Sequence, residues 1–259
     1  MKNTLLKSCL APAIFAACLA VLANDAVSPS APGYDDTPYL PNSPWRVHDR
    51  LRPQPAIVDA SENIPPSDAI ILFNGQDLSQ WTGGDAKGIE DGCINIHKTG
   101  ELRTVRKFGD CQIHVEWATP AVADGDRMFW GNSGVYFMDL YELQIIESHD
   151  SYIYADGNAG AIYGQTPPLV NSSRKAGQWQ TFDAIFTAPK FDGEKLAQPA
   201  YLTVLQNGVL VQNHQAIIGP TVHHALPKYD ATTRITEGPI MLQEHGSSVR
   251  FRNIWIRPL

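Results

Sequence analysis

Glu142 and Gln144 stand two residues apart in Tyr141–Glu142–Leu143–Gln144–Ile145, with Glu147 and His149 shortly after them. An extended strand sends every second side chain to one face, so Glu142 and Gln144 share a face about 7 Å apart while Leu143 and Ile145 turn to the core. A carboxylate beside a carboxamide on one sheet face can move a proton and hold a polar ligand next to it. Glu147 lies five positions after Glu142, an odd spacing, and joins that face only if a β-bulge intervenes. The same alternation in Ile240–Met241–Leu242–Gln243–Glu244–His245 puts Ile240 and Leu242 in the core and Met241, Gln243 and His245 on the opposite face. Three such residues converging with Glu142 and Gln144 favour a site. The plainer alternative for His245 is a structural histidine next to a glycine turn.

Other chemistry-bearing residues are less committal. Asn132 and Tyr136 precede the turn into the Glu142 strand and are expected to contact the ligand, as is His149 just after it. Trp130, Tyr154 and Tyr163 add aromatic faces, although core packing is the commoner use of such rings. His114 and Glu116 point outward from an otherwise apolar strand. Asp183 lies inside an apolar strand, where an acid is costly unless paired, and an ion pair with Arg250 or Arg252 is expected. His149, Asp150 and Asp156 fall in one loop, but no tight His/Glu ligand spacing is present. No catalytic metal and no cofactor is therefore expected, and a structural calcium on loop oxygens is the one ion the pattern allows. Ser133 lacks the strand-to-helix setting of a nucleophile elbow.

The elements that hold these residues are short strands. Alternating or apolar runs occur at 69–73, 93–96, 102–105, 111–117, 132–149, 182–186, 201–205, 209–211, 240–243 and 249–257, and no amphipathic helix of any length is evident. Asn207–Gly208 is a strong hairpin signal. The pattern predicts an all-β sandwich or barrel. With 259 residues, 43% of them hydrophobic, the chain can bury one large β domain. A formal charge of -7 argues against a nucleic-acid partner, which needs a basic stripe, and suits a neutral, hydroxyl-rich ligand.

Residues 1–23 read as a signal peptide: Lys2 and Lys7, an apolar run, then small residues at Val21–Leu22–Ala23. The run is too short and alanine-rich for a membrane span. A periplasmic or secreted location is expected, with lipoprotein processing at Cys18 as the alternative. Residues 24–67 are rich in proline, yet Tyr39, Leu40, Trp45, Val47 and His48 are more than a free tether needs, so part of this extension is expected to pack on the domain of residues 68–259. Beyond the signal, Cys93 and Cys111 are either a disulfide or two buried thiols.

Several blocks are similar to one bacterial family. They are Ile71–Leu72–Phe73–Asn74–Gly75–Gln76–Asp77–Leu78, Asn132–Ser133–Gly134–Val135–Tyr136 with Tyr141–Glu142–Leu143–Gln144–Ile145, Gly160–Ala161–Ile162–Tyr163–Gly164–Gln165, Gly177–Gln178–Trp179, and Leu242–Gln243–Glu244–His245–Gly246. They resemble the 3-keto-disaccharide hydrolase domain family, formerly domain of unknown function 1080. The resemblance implies a concanavalin A-like lectin/glucanase jelly roll of two curved antiparallel sheets, with ligand on the concave one. Two positions depart from the family pattern: Glu244 and Glu147 each replace the more usual Asp.

Glu142-x-Gln144-x-x-Glu147 also resembles the Glu-x-Asp-x-x-Glu strand of laminarinase-type glycoside hydrolases. Gln144 stands where that pattern keeps a tuning acid, which weakens a double-displacement reading. The family resemblance implies cleavage of 3-keto-O-glycosides by removal of the C2 proton, elimination and hydration. In that scheme Glu142 or His245 is the base, Glu147 the acid, and Asn132, Gln144 and Gln243 position the substrate. A conventional glycoside hydrolase and a non-catalytic carbohydrate-binding module are the alternatives.

Overall fold

The computed structural model describes residues 31–61, 64–123, 126–150 and 153–259. The expected signal peptide and Cys18 lie outside the described residues. The described residues form two compact units, one ending at Ile57 and the other running from Val58 to Leu259. In the first, the described part of the proline-rich extension folds on itself through bridges Tyr34–Asp49 and Tyr39–Arg46, and the Arg46 guanidinium lies 4.0 Å over the Tyr39 ring.

The second unit carries the strands. They are β1 (Ile70–Phe73), β2 (Trp81–Thr82), β3 (Ile89–Glu90), β4 (Cys93–Asn95), β5 (Leu102–Thr104), β6 (Cys111–Ala118), β7 (Ser133–Phe137) and β8 (Tyr141–Ile145). After a long connection come β9 (Gln180–Thr187), β10 (Lys190–Asp192), β11 (Lys195–Gln198), β12 (Tyr201–Gln206), β13 (Val209–Ala216), β14 (Met241–Leu242) and β15 (Arg250–Pro258). One single-turn helix, α1 (Ile96–Thr99), follows β4 where the sequence suggested a continuing strand. Gly100, with φ of +86°, closes that turn by donating its amide to Ile96.

Antiparallel pairing builds a larger sheet in the order β13-β12-β9-β6-β15-β4-β3, with β1 also on β15, and a five-stranded sheet β2-β5-β14-β7-β8. This is the jelly-roll sandwich of the concanavalin A-like class. Alternation sends Cys111, Ile113, Val115 and Trp117 of β6 and Phe182, Ala184 and Phe186 of β9 inward, where they are buried against Val135, Phe137, Leu143 and Ile145 of the other sheet. Phe186 stacks on Phe137 at 4.8 Å and touches Tyr141 at 5.7 Å between ring centroids, which ties the two layers together.

Cys93 and Cys111 are free, buried thiols. Both strands pair with β15, but Ile94 sits opposite Phe251 and Cys111 opposite Pro258, seven residues further along. That is about 23 Å of strand, far beyond the reach of a disulfide. On the outer face of the larger sheet, Asp183 bonds His114 Nδ1 at 2.7 Å rather than an arginine. The register explains this correction, since His114 stands directly opposite Asp183 while Arg252 stands opposite Glu116 and bonds it at 2.6 Å.

Candidate active site

The site is set by a tight turn. Between β7 and β8, Leu140 donates its amide to the Phe137 carbonyl across Met138 and Asp139, whose φ angles are +57° and +62°. These are the left-handed angles of a type I′ hairpin turn, unfavourable for residues with a Cβ. Burial of Met138 and two 3.0 Å bonds from Arg103 Nε to the Asp139 carboxylate offset that cost. The turn fixes a register in which Tyr136 faces Glu142 and Gly134 faces Gln144.

Gly134 has a second consequence. A Cβ built there would lie 2.6 Å from Glu142 Oε1 and 3.0 Å from its Cγ. The absence of a side chain therefore lets the Glu142 carboxylate lie down over the neighbouring strand. Tyr136 donates its hydroxyl to Glu142 Oε2 at 2.7 Å and accepts from Gln243 Nε2 at 3.2 Å. Gln243 is placed by its own amide bonding Gly134 O at 3.0 Å, and by Ser133 Oγ donating to the Gln243 carbonyl at 2.7 Å. Ser133 is thus a fully buried structural donor.

Asn132, Tyr136, Glu142, Gln144, Gln243 and His245 line one cavity of about 340 Å³, so six of the residues singled out from the sequence come together. Gln243 Oε1 is buried without a hydrogen-bond partner in the protein. Phe129, Tyr163, Thr221 and His223 complete the wall. Thr221 and His223 belong to a loop that no strand periodicity places here. It is held by two bonds to the β8 end: Thr221 N to Leu140 O at 2.8 Å, and Glu142 N to Thr221 Oγ1 at 3.0 Å. Tyr163 lies beside β8 because the 160–163 segment pairs with it, with Gln144 N bonding Ala161 O at 3.0 Å.

Glu142 is only 4% exposed. Burial pushes its carboxyl up to about 7, although the hydrogen bond from Tyr136 favours the ionised form. Burial and the adjacent carboxylate in turn hold the Tyr136 phenol above its ordinary range, so it stays a proton donor. Glu244 does not reach the cavity. It bonds His97 Nδ1 at 2.9 Å, which holds its carboxyl below the usual range, and accepts the Gly246 amide at 2.7 Å. Both contacts brace the turn that carries His245.

Three expected site residues are placed elsewhere. The register continued from β7–β8 would bond the Glu147 amide to Gly131, but it bonds Trp130 at 2.9 Å, so the pairing slips by one residue beyond the strands. Ile145 and Ile146 are both buried in the core, which breaks the alternation as a bulge would. The Glu147 carboxylate nevertheless turns onto its own loop, accepting the amides of His149 at 2.9 Å and Asp150 at 3.4 Å. His149 pairs with Asp150 at 3.3 Å on a separate cavity of about 600 Å³. Met241 sits opposite Tyr136, 5% exposed, and does not line the site. Among the described residues, no three His, Cys, Asp or Glu side chains converge as a metal site. No helix among them is long and apolar enough to cross a membrane.

A buried acid beside amide groups in the cleft of an antiparallel sandwich can move a proton and hold a polar, hydroxyl-rich ligand. The chain belongs to the 3-keto-alpha-glucoside-1,2-lyase-like domain family, whose model matches residues 68–257. A candidate glycosyl hydrolase from Parabacteroides distasonis ATCC 8503 is 37% identical, covering 80% of this chain and 93% of its own, with a TM-score of 0.74. A second candidate glycosyl hydrolase from that organism, 23% identical over 74% of this chain and 94% of its own, shares the fold with a TM-score of 0.51. No curated protein matches the chain.

Proposed function

We propose that this chain cleaves 3-keto-O-glycosides by elimination across C1–C2, followed by hydration, with Glu142 as the base. The observation that carries this reading is that Glu142 is the one carboxylate lining the cavity among the described residues. Ordinary glycoside hydrolysis uses two carboxyl groups flanking the scissile bond. Glu147, the residue expected to supply the second, is held by its own loop amides. Elimination next to a ketone needs one base, one proton donor and a neutral host for an enolate.

A ketone at C3 acidifies the C2–H bond. Glu142, with proton affinity near neutrality, takes that proton while the electron pair forms the enolate of C2 and C3. The pair then forms C1=C2 as the C1–O bond breaks. One of the imidazoles in the wall, His223 or His245, gives a proton to the departing oxygen. Tyr136 stays hydrogen-bonded to Glu142 throughout and steadies its charge. Asn132, Gln144 and Gln243 in the wall orient sugar hydroxyls. Water then adds at C1 of the enone with protonation at C2, so the net result is hydrolysis.

The Lys2/Lys7-led apolar run supports placing this activity outside the cytoplasm, in the periplasm or the medium. The test of function is turnover of a 3-keto-glucoside by wild type and Glu142→Gln. Wild-type turnover with a loss of about 10³-fold or more in the variant is expected for a general base. Undiminished activity in the variant would remove Glu142 from the reaction.

A further inference from the structure

A second cavity, of about 640 Å³, opens beside the first, and Tyr163 and His223 stand in the walls of both. Its rim is hydrocarbon. Ile218, Val222 and Leu226 line it while remaining 51%, 40% and 83% exposed. Single exposed apolar residues are ordinary, but three from one loop around one concavity make a patch suited to an apolar ligand.

Part of the polar surface of the same wall is already hydrogen-bonded. Gln165 donates from Nε2 to Gly219 O at 2.9 Å and accepts the Ile218 amide at 2.8 Å, so both ends of its amide are used. The Tyr154 and Tyr163 hydroxyls bond each other at 2.6 Å, and the His223 ring stacks on His224 at 3.7 Å. The hydroxyls of a sugar that face Ile218, Val222 and Leu226 would lose water without finding a partner, which is costly for each group. A hydrocarbon ring carries no such penalty. The Asp156 carboxylate in the wall also opposes an anionic occupant.

We infer that this groove is the leaving-group subsite and that it takes a neutral, apolar ring, aromatic or alicyclic, in preference to a second sugar. The inference rests on the elimination proposed above. The bond broken there joins the sugar ring to its substituent, so a ring over Glu142 directs that substituent into an adjoining space. Tyr163 and His223 mark the boundary between the two halves of the substrate.

The experiment compares kcat/KM for 3-keto-glucosides with methyl, cyclohexylmethyl and benzyl leaving groups, simple alcohols of similar acidity, and with a glucosyl one, whose more acidic hydroxyl leaves more readily and so works against the expected order. Benzyl and cyclohexylmethyl substrates are expected to exceed methyl and glucosyl ones by at least tenfold, mostly through KM, since a single methylene in a hydrophobic pocket already discriminates by about 10–200-fold. Leu226→Asp, on a residue exposed enough to leave the fold intact, is expected to lower the benzyl-to-methyl ratio about tenfold. A wild-type ratio near one, or a ratio unmoved in both Leu226→Asp and Ile218→Asp, overturns the inference. If no member of the panel is turned over, it is the elimination reading that fails. The groove is then read by calorimetry with benzyl glucoside: saturable binding weakened about tenfold by Leu226→Asp supports it, and equal or absent binding in both proteins overturns it.

Discussion

Replacing Glu142 by glutamine isolates the energetic cost of burying a carboxylate at this site. In the unfolded chain a glutamate ionises near 4.5, and in the folded chain burial raises Glu142 to about 7. Between those values the folded state holds a proton that the unfolded state has released. The contribution to stability is therefore fully present below pH 4.5 and is lost as pH rises through 7. At about 1.4 kcal/mol for each tenfold change in proton affinity, the full loss is on the order of 3 kcal/mol. Glutamine keeps an acceptor for the Tyr136 hydroxyl and carries no charge at any pH, so the variant escapes the loss. Thermal unfolding of both proteins from pH 5 to pH 8.5 checks this, because every other titrating group is common to the two. The Tm difference is expected to be near zero at pH 5 and to grow in favour of Glu142→Gln by roughly 5–10 °C at pH 8.5, at about 2–4 °C per kcal/mol for a domain of this size. A difference that stays constant with pH, or a variant less stable at pH 8.5, would refute the assignment of a raised carboxyl to Glu142.

Further expectations follow from neighbouring contacts. Tyr136→Phe removes the 2.7 Å donor to the ionised carboxylate, so the midpoint of the rising limb of kcat/KM against pH is expected to move up by about one pH unit; an unchanged midpoint counts against the contact's role. Gly134→Ala puts a methyl 2.6 Å from Glu142 Oε1, and displacement of the base is expected to lower kcat about 10²-fold in a chain whose circular dichroism still shows native strands. Retained activity would mean the carboxylate need not lie over Gly134. Burial raises the Cys93 thiol and pushes Cys111 up to about 12. In protein lacking residues 1–23, neither should react with a thiol reagent until the chain is unfolded, when both should, and mass spectrometry should show no disulfide.

Much of the site was legible because β-structure converts spacing into direction. Two-residue spacing placed Glu142 with Gln144, and the same rule brought Gln243 and His245 to the same cavity although they lie about a hundred residues away in the chain. Thr221 and His223 were not legible, since their position depends on backbone bonds from a loop to the end of β8 and loops carry no periodicity. A histidine pair at His223–His224 beside Thr221, in a stretch otherwise suited to a turn, was the only available signal. Glu147 shows the limit of extrapolating a strand. The pairing slips once β8 has ended, and the carboxylate then finds two amides of its own loop, a local competition that a motif cannot reveal. Asp183 was misassigned for a simpler reason: choosing between His114 and an arginine requires the register of β6 against β9.

Removal of the C2 proton of a 3-keto-glycoside by Glu142 is read by running the reaction in deuterium oxide and following the sugar product at early turnover. Elimination and hydration predict one solvent deuterium at C2, above the exchange seen in a control without enzyme, together with an enone intermediate visible by mass spectrometry. Glu142→Gln is expected to abolish both signals. Cleavage with the original C2 hydrogen retained and no enone would contradict the claim and point to direct hydrolysis.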